Sequence, residues 1–303
     1  MTQVRDALVN DHEYQTPASS HLKGLLSFAL SAGSEILSVY GSSISAETKA
    51  DGSPVTVADE RAEAVILAGL AEAFPSVPVV AEEAVEAGNL PEASNRYFLV
   101  DPLDGTKEFV SRNGEFTVNI ALVEEGVPVF GVVYAPALGE IFWGGALPAD
   151  LVGEGADTSA AFKAKVVDGE ITDMTPIAVR AAPASGLSVL ASRSHLSEET
   201  AAFIEKFNVA ERVSAGSSLK LCLVAEGKAD LYPRLAPTMQ WDIAAGDAVL
   251  RAAGGSVLLA DGYEPLTYSV PTGAQKSDLL NPFFVALSSP ALLADAGLMA
   301  GAA

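Results

Sequence analysis

Apolar residues recur along this chain with two different periods. From His21 to Tyr40, Leu22, Leu25, Leu26, Ala29, Ile36 and Leu37 return at helical spacing and predict one buried face. Thr56 to Phe74 predicts a second helix, with Val65, Ile66 and Leu70 inward and Pro75 as its stop. The polar stretch GSSISAETKADGSP between them predicts a loop or a weak hairpin. VPVVA (77–81) and YFLV (97–100) are short apolar runs that predict strands. FTVNIALVEEGVPVFGVVYAP alternates around Glu125-Gly126, the pattern of a hairpin, and GEIFWGG continues it as a third strand.

After Arg180 short strands alternate with helices. LSVLAS, ADLYPR, SVLLA and FFVALS predict strands. LSEETAAFIEKF, GSSLKLCLVAEG and WDIAAGDAVLRAAGG predict helices, the last closed by two glycines. Residues 148–175, rich in Ala, Gly and Asp, read as an irregular insertion or a border. Hairpins first and alternation second predict an α+β half followed by an α/β half. The expected organisation is a loose extension over 1–20, an N-terminal domain over 21–178 and a C-terminal domain over 179–303.

Composition narrows the function. The formal net charge is −21, a field that repels polymeric nucleic acid and acidic membrane surfaces. No apolar run reaches the roughly 18 residues of a spanning segment, and the first residues lack a secretory pattern. An integral membrane segment is therefore not expected, and the expected location is cytoplasmic. Peripheral attachment at the inner membrane and a homodimer are left open. Cys222 has no second cysteine to pair with and sits in an apolar run. Three histidines are too few for a histidine-built zinc site, whereas plentiful carboxylates suit hard cations such as magnesium.

Three acidic clusters occupy similar positions. Glu82 and Glu83 follow a strand, Asp101 and Asp104 follow another within DPLDGT, and Asp242 opens a helix within WDIAAGD. Such positions lie at the edge where open α/β folds keep their sites. Bringing these charges together costs several kcal/mol unless cations lie between them. In DPLDGT, Pro102 stiffens the backbone between the aspartates, and the Leu103 carbonyl adds an oxygen. Gly105 permits close approach of the backbone, and the amides of Gly105 and Thr106 suit an anion. An ordinary Asp-Gly turn satisfies the same pattern. Thr56-x-x-Asp59 is a capping box, and Asp242 is equally a helix cap. Both readings are compatible with chemistry at these residues.

The combination of Glu82-Glu83, DPLDGTKEF, GEFTVNIAL, GSSLKLCLVAEG and WDIAAGDAVLRAAGG resembles the inositol monophosphatase superfamily over Leu22 to Ala286. The continuation Lys107-Glu108-Phe109, with RNGEFTVNIAL, SRSH, GSSLK and LYPR, looks most like its bacterial 3'(2'),5'-bisphosphate nucleotidase (CysQ-type) branch. Two departures are a longer N-terminal extension and AEEAVEAG in place of a more acidic segment. The resemblance implies a sugar-phosphatase-like layered α-β-α-β-α sandwich. It implies Glu82, Asp101, the Leu103 carbonyl, Asp104 and Asp242 as ligands of two to three magnesium ions, with Glu83 behind them. Glu82, Thr106 and Asp59 are the implied catalytic residues, the latter two activating a metal-bound water. Gly105 and Thr106 would hold the reacting phosphate. Lys107, His195, Ser217, Ser218, Lys220, Arg234 and Asp242 are the implied substrate contacts, and Arg193 is a further candidate cation for a second phosphate.

The implied reaction converts adenosine 3',5'-bisphosphate to AMP and phosphate, without a phosphoenzyme and with sensitivity to lithium. Inositol monophosphatase or fructose-1,6-bisphosphatase activity is the alternative within the superfamily. A metal-dependent nucleotide-binding regulator is the alternative from another class. The presence of Asp59, Glu82, Thr106 and Asp242 together argues against it, because binding alone does not need all four.

Overall fold

The computed structural model describes residues 19–41, 47–48, 54–55, 57–92, 94–152, 159–191 and 197–299. Helix α1 (Ser20–Tyr40) is capped by the Ser19 hydroxyl, which accepts from the Leu22 amide at 3.1 Å. Two short strands, β1 (Glu47–Thr48) and β2 (Pro54–Val55), pair antiparallel in the segment expected to be a loop or a weak hairpin. Helix α2 (Val57–Ala73) follows, then β3 (Val79–Ala81), α3 (Glu82–Glu86), β4 (Arg96–Asp104) and α4 (Thr106–Val110). The meander β5 (Thr117–Glu124), β6 (Val127–Ala135) and β7 (Glu140–Gly145) matches the expected hairpin and its third strand.

The stretch 148–175 is more regular than its composition predicts. After a short α5 (Ala149–Val152), β8 (Ala161–Val167) and β9 (Glu170–Ile177) form an antiparallel pair that extends the first sheet. Most β9 side chains are exposed, so it carries little of the apolar alternation that announces a strand. The second half runs through β10 (Leu187–Leu190), α6 (Glu198–Ile204), β11 (Val209–Val213), α7 (Leu219–Ala225) and β12 (Leu231–Arg234). It ends with α8 (Gln240–Ala252), β13 (Ser256–Leu259), β14 (Phe284–Leu287) and α9 (Ala291–Asp295).

Seven strands form the first sheet in the order β3-β4-β5-β6-β7-β8-β9, parallel only at β3-β4. Five form the second, in the order β11-β10-β12-β14-β13. Alternate side chains feed opposite faces. Phe98 and Val100 of β4 join α1 and α2, while Tyr97 and Leu99 join α7 and α8. In β14, Phe284 and Ala286 face α7 and α8, while Val285 and Leu287 face α6 and α9. The result is a five-layer α-β-α-β-α sandwich, as expected. Central strands read as continuous apolar runs because both faces are covered.

Helix α8 is the middle layer and lies close to the first sheet. A Cβ added at Gly131 of β6 would stand 2.3 Å from the Ala245 carbonyl, so only glycine fits there. Two helix faces differ from expectation. Leu37 is 37% exposed, and the buried side of α2 is Asp59, Ala62, Glu63, Ile66 and Leu70, without Val65. By length and composition alone α1 passes for a membrane span. The physical reason is its core face: Leu25, Ala29, Ala32 and Ile36 are fully buried against the first sheet's outer layer.

Candidate active site

Asp101 and Asp104 stand at the C-terminal end of β4, where a register shift against β5 releases the strand. The Leu103 amide donates to Asp101 Oδ1 at 3.0 Å, a tight turn that leaves both aspartates at one edge. Gly105 then takes a left-handed conformation, φ 91°, and α4 begins at Thr106. A side chain at 105 would also strike the Ser217 hydroxyl, so this glycine is required on two grounds. From the second half, Asp242 lies in the first turn of α8, and its Oδ2 accepts from the Met239 amide at 2.9 Å. Capping and a place in the cleft coexist at this residue.

These residues line a cleft with two chambers. One, of about 440 Å³, is bounded by Glu82, Asp101, Leu103, Asp104, Gly105, Thr106, Lys107 and Asp242, with Glu86 and Lys276 at its mouth. The other, of about 490 Å³, is bounded by Lys107, Ser217, Lys220, Tyr232 and Arg234, with Glu108 and Glu115. Asp104, Lys107, Glu108 and Asp242 belong to both chambers. The first chamber is strongly acidic, and the second, where Lys220 and Arg234 join Lys107, is closer to balance between acids and cations.

The segment 215–220 joins the halves. Ser217, at φ 49°, donates its hydroxyl to the Asp104 carbonyl at 2.7 Å. Ser218 is buried, with its hydroxyl 2.6 Å from the Asp242 carbonyl and 3.3 Å from Asp104 Oδ2. Lys220 is buried, 8% exposed, and its ammonium donates to the carbonyls of Ala215 at 3.1 Å and Ser217 at 2.9 Å and lies 5.5 Å over the Tyr232 ring. Arg234 donates to the Pro237 carbonyl at 3.0 Å.

The electrostatics are those of crowded acids. Burial, then the charges of Glu82, Asp104, Asp242 and Asp59, push the Asp101 carboxyl well above the usual range. Burial and Asp104 do the same to Asp242. Burial raises Asp104 less, because Lys220 and the Ser218 hydrogen bonds oppose it. Burial pulls Lys220 down to about 8, against the attraction of Asp104.

Glu82, Asp101, Leu103, Asp104, Gly105, Thr106, Lys107 and Asp242 are thus brought to one chamber, and Ser217, Lys220 and Arg234 to its neighbour. Asp59 is buried close enough to Asp101 to raise it. Glu83 sits on α3 beside Glu82. His195, Arg193, Thr56 and residues 1–18 lie outside the described residues. Three side chains escaped the reading of the sequence. Glu86 and Lys276 pair at 2.8 Å across the first chamber's mouth, and no local motif marks either. Glu63 is buried on α2, and its signal was legible: an acid at the spacing of the apolar face.

Among the described residues, no three His, Cys, Asp or Glu side chains converge into a ready cation cage. The donor chemistry nevertheless fits a hard cation. The acids Glu82, Asp101, Asp104 and Asp242 of the first chamber are all oxygen donors, and the buried ones raise one another's proton affinity. Opposite Asp101 in register, Asn119 is fully buried with neither amide atom partnered by protein. Asn119 is thus an unpartnered polar group on the strand beside Asp101.

A family model described as "Inositol monophosphatase family" matches residues 19–289. The protein is 44% identical over 238 residues to the 3'(2'),5'-bisphosphate nucleotidase CysQ of Salmonella typhimurium, covering 78% of this chain and 89% of that one. It is 42% identical over 258 residues to the protein of the same name from Escherichia coli, covering 84% and 95%. Among solved structures, CysQ from Bacteroides thetaiotaomicron aligns with a TM-score of 0.69 at 40% identity, over 89% of this chain and 97% of that one. The chain belongs to the inositol monophosphatase family, within its CysQ branch.

Proposed function

We propose that the protein hydrolyses adenosine 3',5'-bisphosphate to AMP and phosphate, with magnesium held by Glu82, Asp101, the Leu103 carbonyl, Asp104 and Asp242. One observation carries the reading: a strongly acidic chamber meets, at Asp104 and Asp242, a second chamber to which Lys220 and Arg234 bring positive charge. A substrate with two phosphates fits that polarity, one group reacting and the other held at a distance. Relatives named 3'(2'),5'-bisphosphate nucleotidase support the same substrate class.

Bound magnesium supplies positive charge for the phosphoryl oxygens and makes water more acidic. The chain supplies the rest. The turn at Gly105 and the start of α4 present backbone amides to the reacting phosphate. Thr106 with Asp59 orients the attacking water and takes its proton as the new phosphorus–oxygen bond forms. The ester bond on the opposite side breaks, the ribose oxygen takes a proton from solvent water as it leaves, and Asp59 returns its own proton to solvent. Lys107, Lys220 and Arg234 hold the second phosphate, balancing a chain of net charge −21 where substrate must enter.

The test is phosphate release from adenosine 3',5'-bisphosphate, inositol 1-phosphate and fructose 1,6-bisphosphate, with and without magnesium. Preference for the nucleotide, lost on chelation, is expected. Preference for inositol phosphate would move the substrate assignment, and release that ignores magnesium would remove the cation.

A further inference from the structure

Helix α3 starts with Glu82 and Glu83, yet its N-cap is Ala81, which has no side chain to receive the free amides of the first turn. The cap comes from another helix. Glu63 on α2 is 5% exposed, and its two carboxylate oxygens accept from two successive amides of α3, Oε2 from Glu83 and Oε1 from Ala84, each at 2.9 Å. Two parallel charge-assisted bonds to one short helix set its rotation as well as its position. Glu63 follows Asp59 by four residues, so both lie on the same buried face of α2.

We infer that Glu63 is a positioning residue for the cation-binding acids: it locks α3 to α2 so that Glu82 faces Asp101 beside Asp59. This rests on the metal-dependent reading given above. A purely structural need would be met more simply by Ser or Asp at position 81, the local cap that short helices ordinarily carry. A carboxylate from α2 does something a local cap does not. It ties the element bearing Glu82 to the element bearing Asp59, through bonds that span 20 and 21 residues of chain. Both of its oxygens accept from amides, which makes a further acid tolerable among Asp59, Glu82 and Glu83.

The experiment compares wild type, Glu63→Gln, Glu63→Gln with Ala81→Ser, and the exposed control Glu60→Gln. Magnesium binding to substrate-free protein is measured by calorimetry, and phosphate release is measured against magnesium concentration. Glutamine offers one acceptor and one donor, so it can hold only one of the two amides. Magnesium affinity is expected to fall about 10-fold or more in Glu63→Gln, with kcat at saturating magnesium within about threefold of wild type. Ala81→Ser caps α3 without tying it to α2, so it is expected to leave the affinity low, and recovery of the affinity would make Glu63 a cap only and overturn the inference; Glu60→Gln is expected to change neither readout. If Glu63→Gln lowers the unfolding midpoint while calorimetric affinity stays unchanged, Glu63 is structural only and the inference is overturned. If Glu63→Gln does not fold, Glu63→Asp replaces it: one methylene shorter, it reaches at most one amide, and unaltered affinity there is equally decisive. Because calorimetry needs no substrate, a wrong substrate assignment would leave this outcome readable. Absence of magnesium binding in wild type would instead sink the underlying reading.

Discussion

The Ser218 hydroxyl lies 2.6 Å from the backbone carbonyl of Asp242, and the same oxygen is 3.3 Å from the carboxylate of Asp104. One buried side chain therefore touches an acid from each half of the protein. A hydroxyl has a single proton, and the shorter contact takes it, so the Ser218 hydroxyl ties the start of α7 to α8 while the Ser218 backbone amide bonds Asp104 at the end of β4. The hydroxyl of Ser218 is thus engaged within the protein, and that of Ser217 likewise serves the Asp104 carbonyl.

Ser218→Ala removes that bond and leaves a buried carbonyl unpartnered. A stability loss of about 1–3 kcal/mol is expected, measured by urea unfolding. Activity should fall with it, through a larger magnesium requirement. Unchanged magnesium dependence would show that the bond does not align the two acids.

Asp104→Asn should abolish phosphate release, a loss of about 100-fold or more, while the fold persists. With magnesium removed, stability should stay level or rise, because the change relieves repulsion with Asp101 and Asp242. Thermal unfolding in chelator checks the second half of this statement. Full activity in the variant would take Asp104 out of the chemistry.

Lys220→Met keeps the stem's volume and deletes the charge. It should weaken a bisphosphate substrate by about 10-fold more in kcat/KM than a monophosphate. Equal losses on both would limit Lys220 to its bonds with the Ala215 and Ser217 carbonyls.

Gly131→Ala places a methyl group 2.3 Å from the Ala245 carbonyl, against backbone that cannot rotate away. Helix α8 must move off the sheet, with a loss of about 1–3 kcal/mol. Since Asp242 rides on α8, kcat/KM should fall as well. A variant with wild-type stability would show that this helix–sheet contact is compliant.

Glu140 supplies a pH dependence outside the site. Burial works against its charge, but hydrogen bonds from Lys165 and Lys163 prevail and hold its carboxyl below the ordinary value of 4.5. Its folded-state value is depressed, so its stabilising share is present above 4.5 and is lost as pH falls through the lowered value. Wild type should therefore lose stability as pH drops below about 4.5, and Glu140→Gln should lose less over the same interval. Urea midpoints at neutral and acidic pH, compared between the two proteins, settle it. Identical slopes would remove Glu140 from the acid transition.

Much of this protein is local and so was legible in its amino acids. Helical spacing from Leu22 to Ile36 and the Glu125-Gly126 hairpin are set by neighbours a few residues apart. So is the turn in DPLDGT, which needs only Pro102, Gly105 and the Asp101 carboxylate. Tertiary structure decided what depends on distant partners. The strands β8 and β9 exist because β7 offers an edge, although their own pattern is weak. Glu63 reads as an oddly placed acid until α3 arrives to use both of its oxygens. Ser218, Asp104 and Asp242 meet across 24 and 114 residues of chain. Spacing along a sequence encodes direction within one element, and only the packing of elements converts those directions into a shared point.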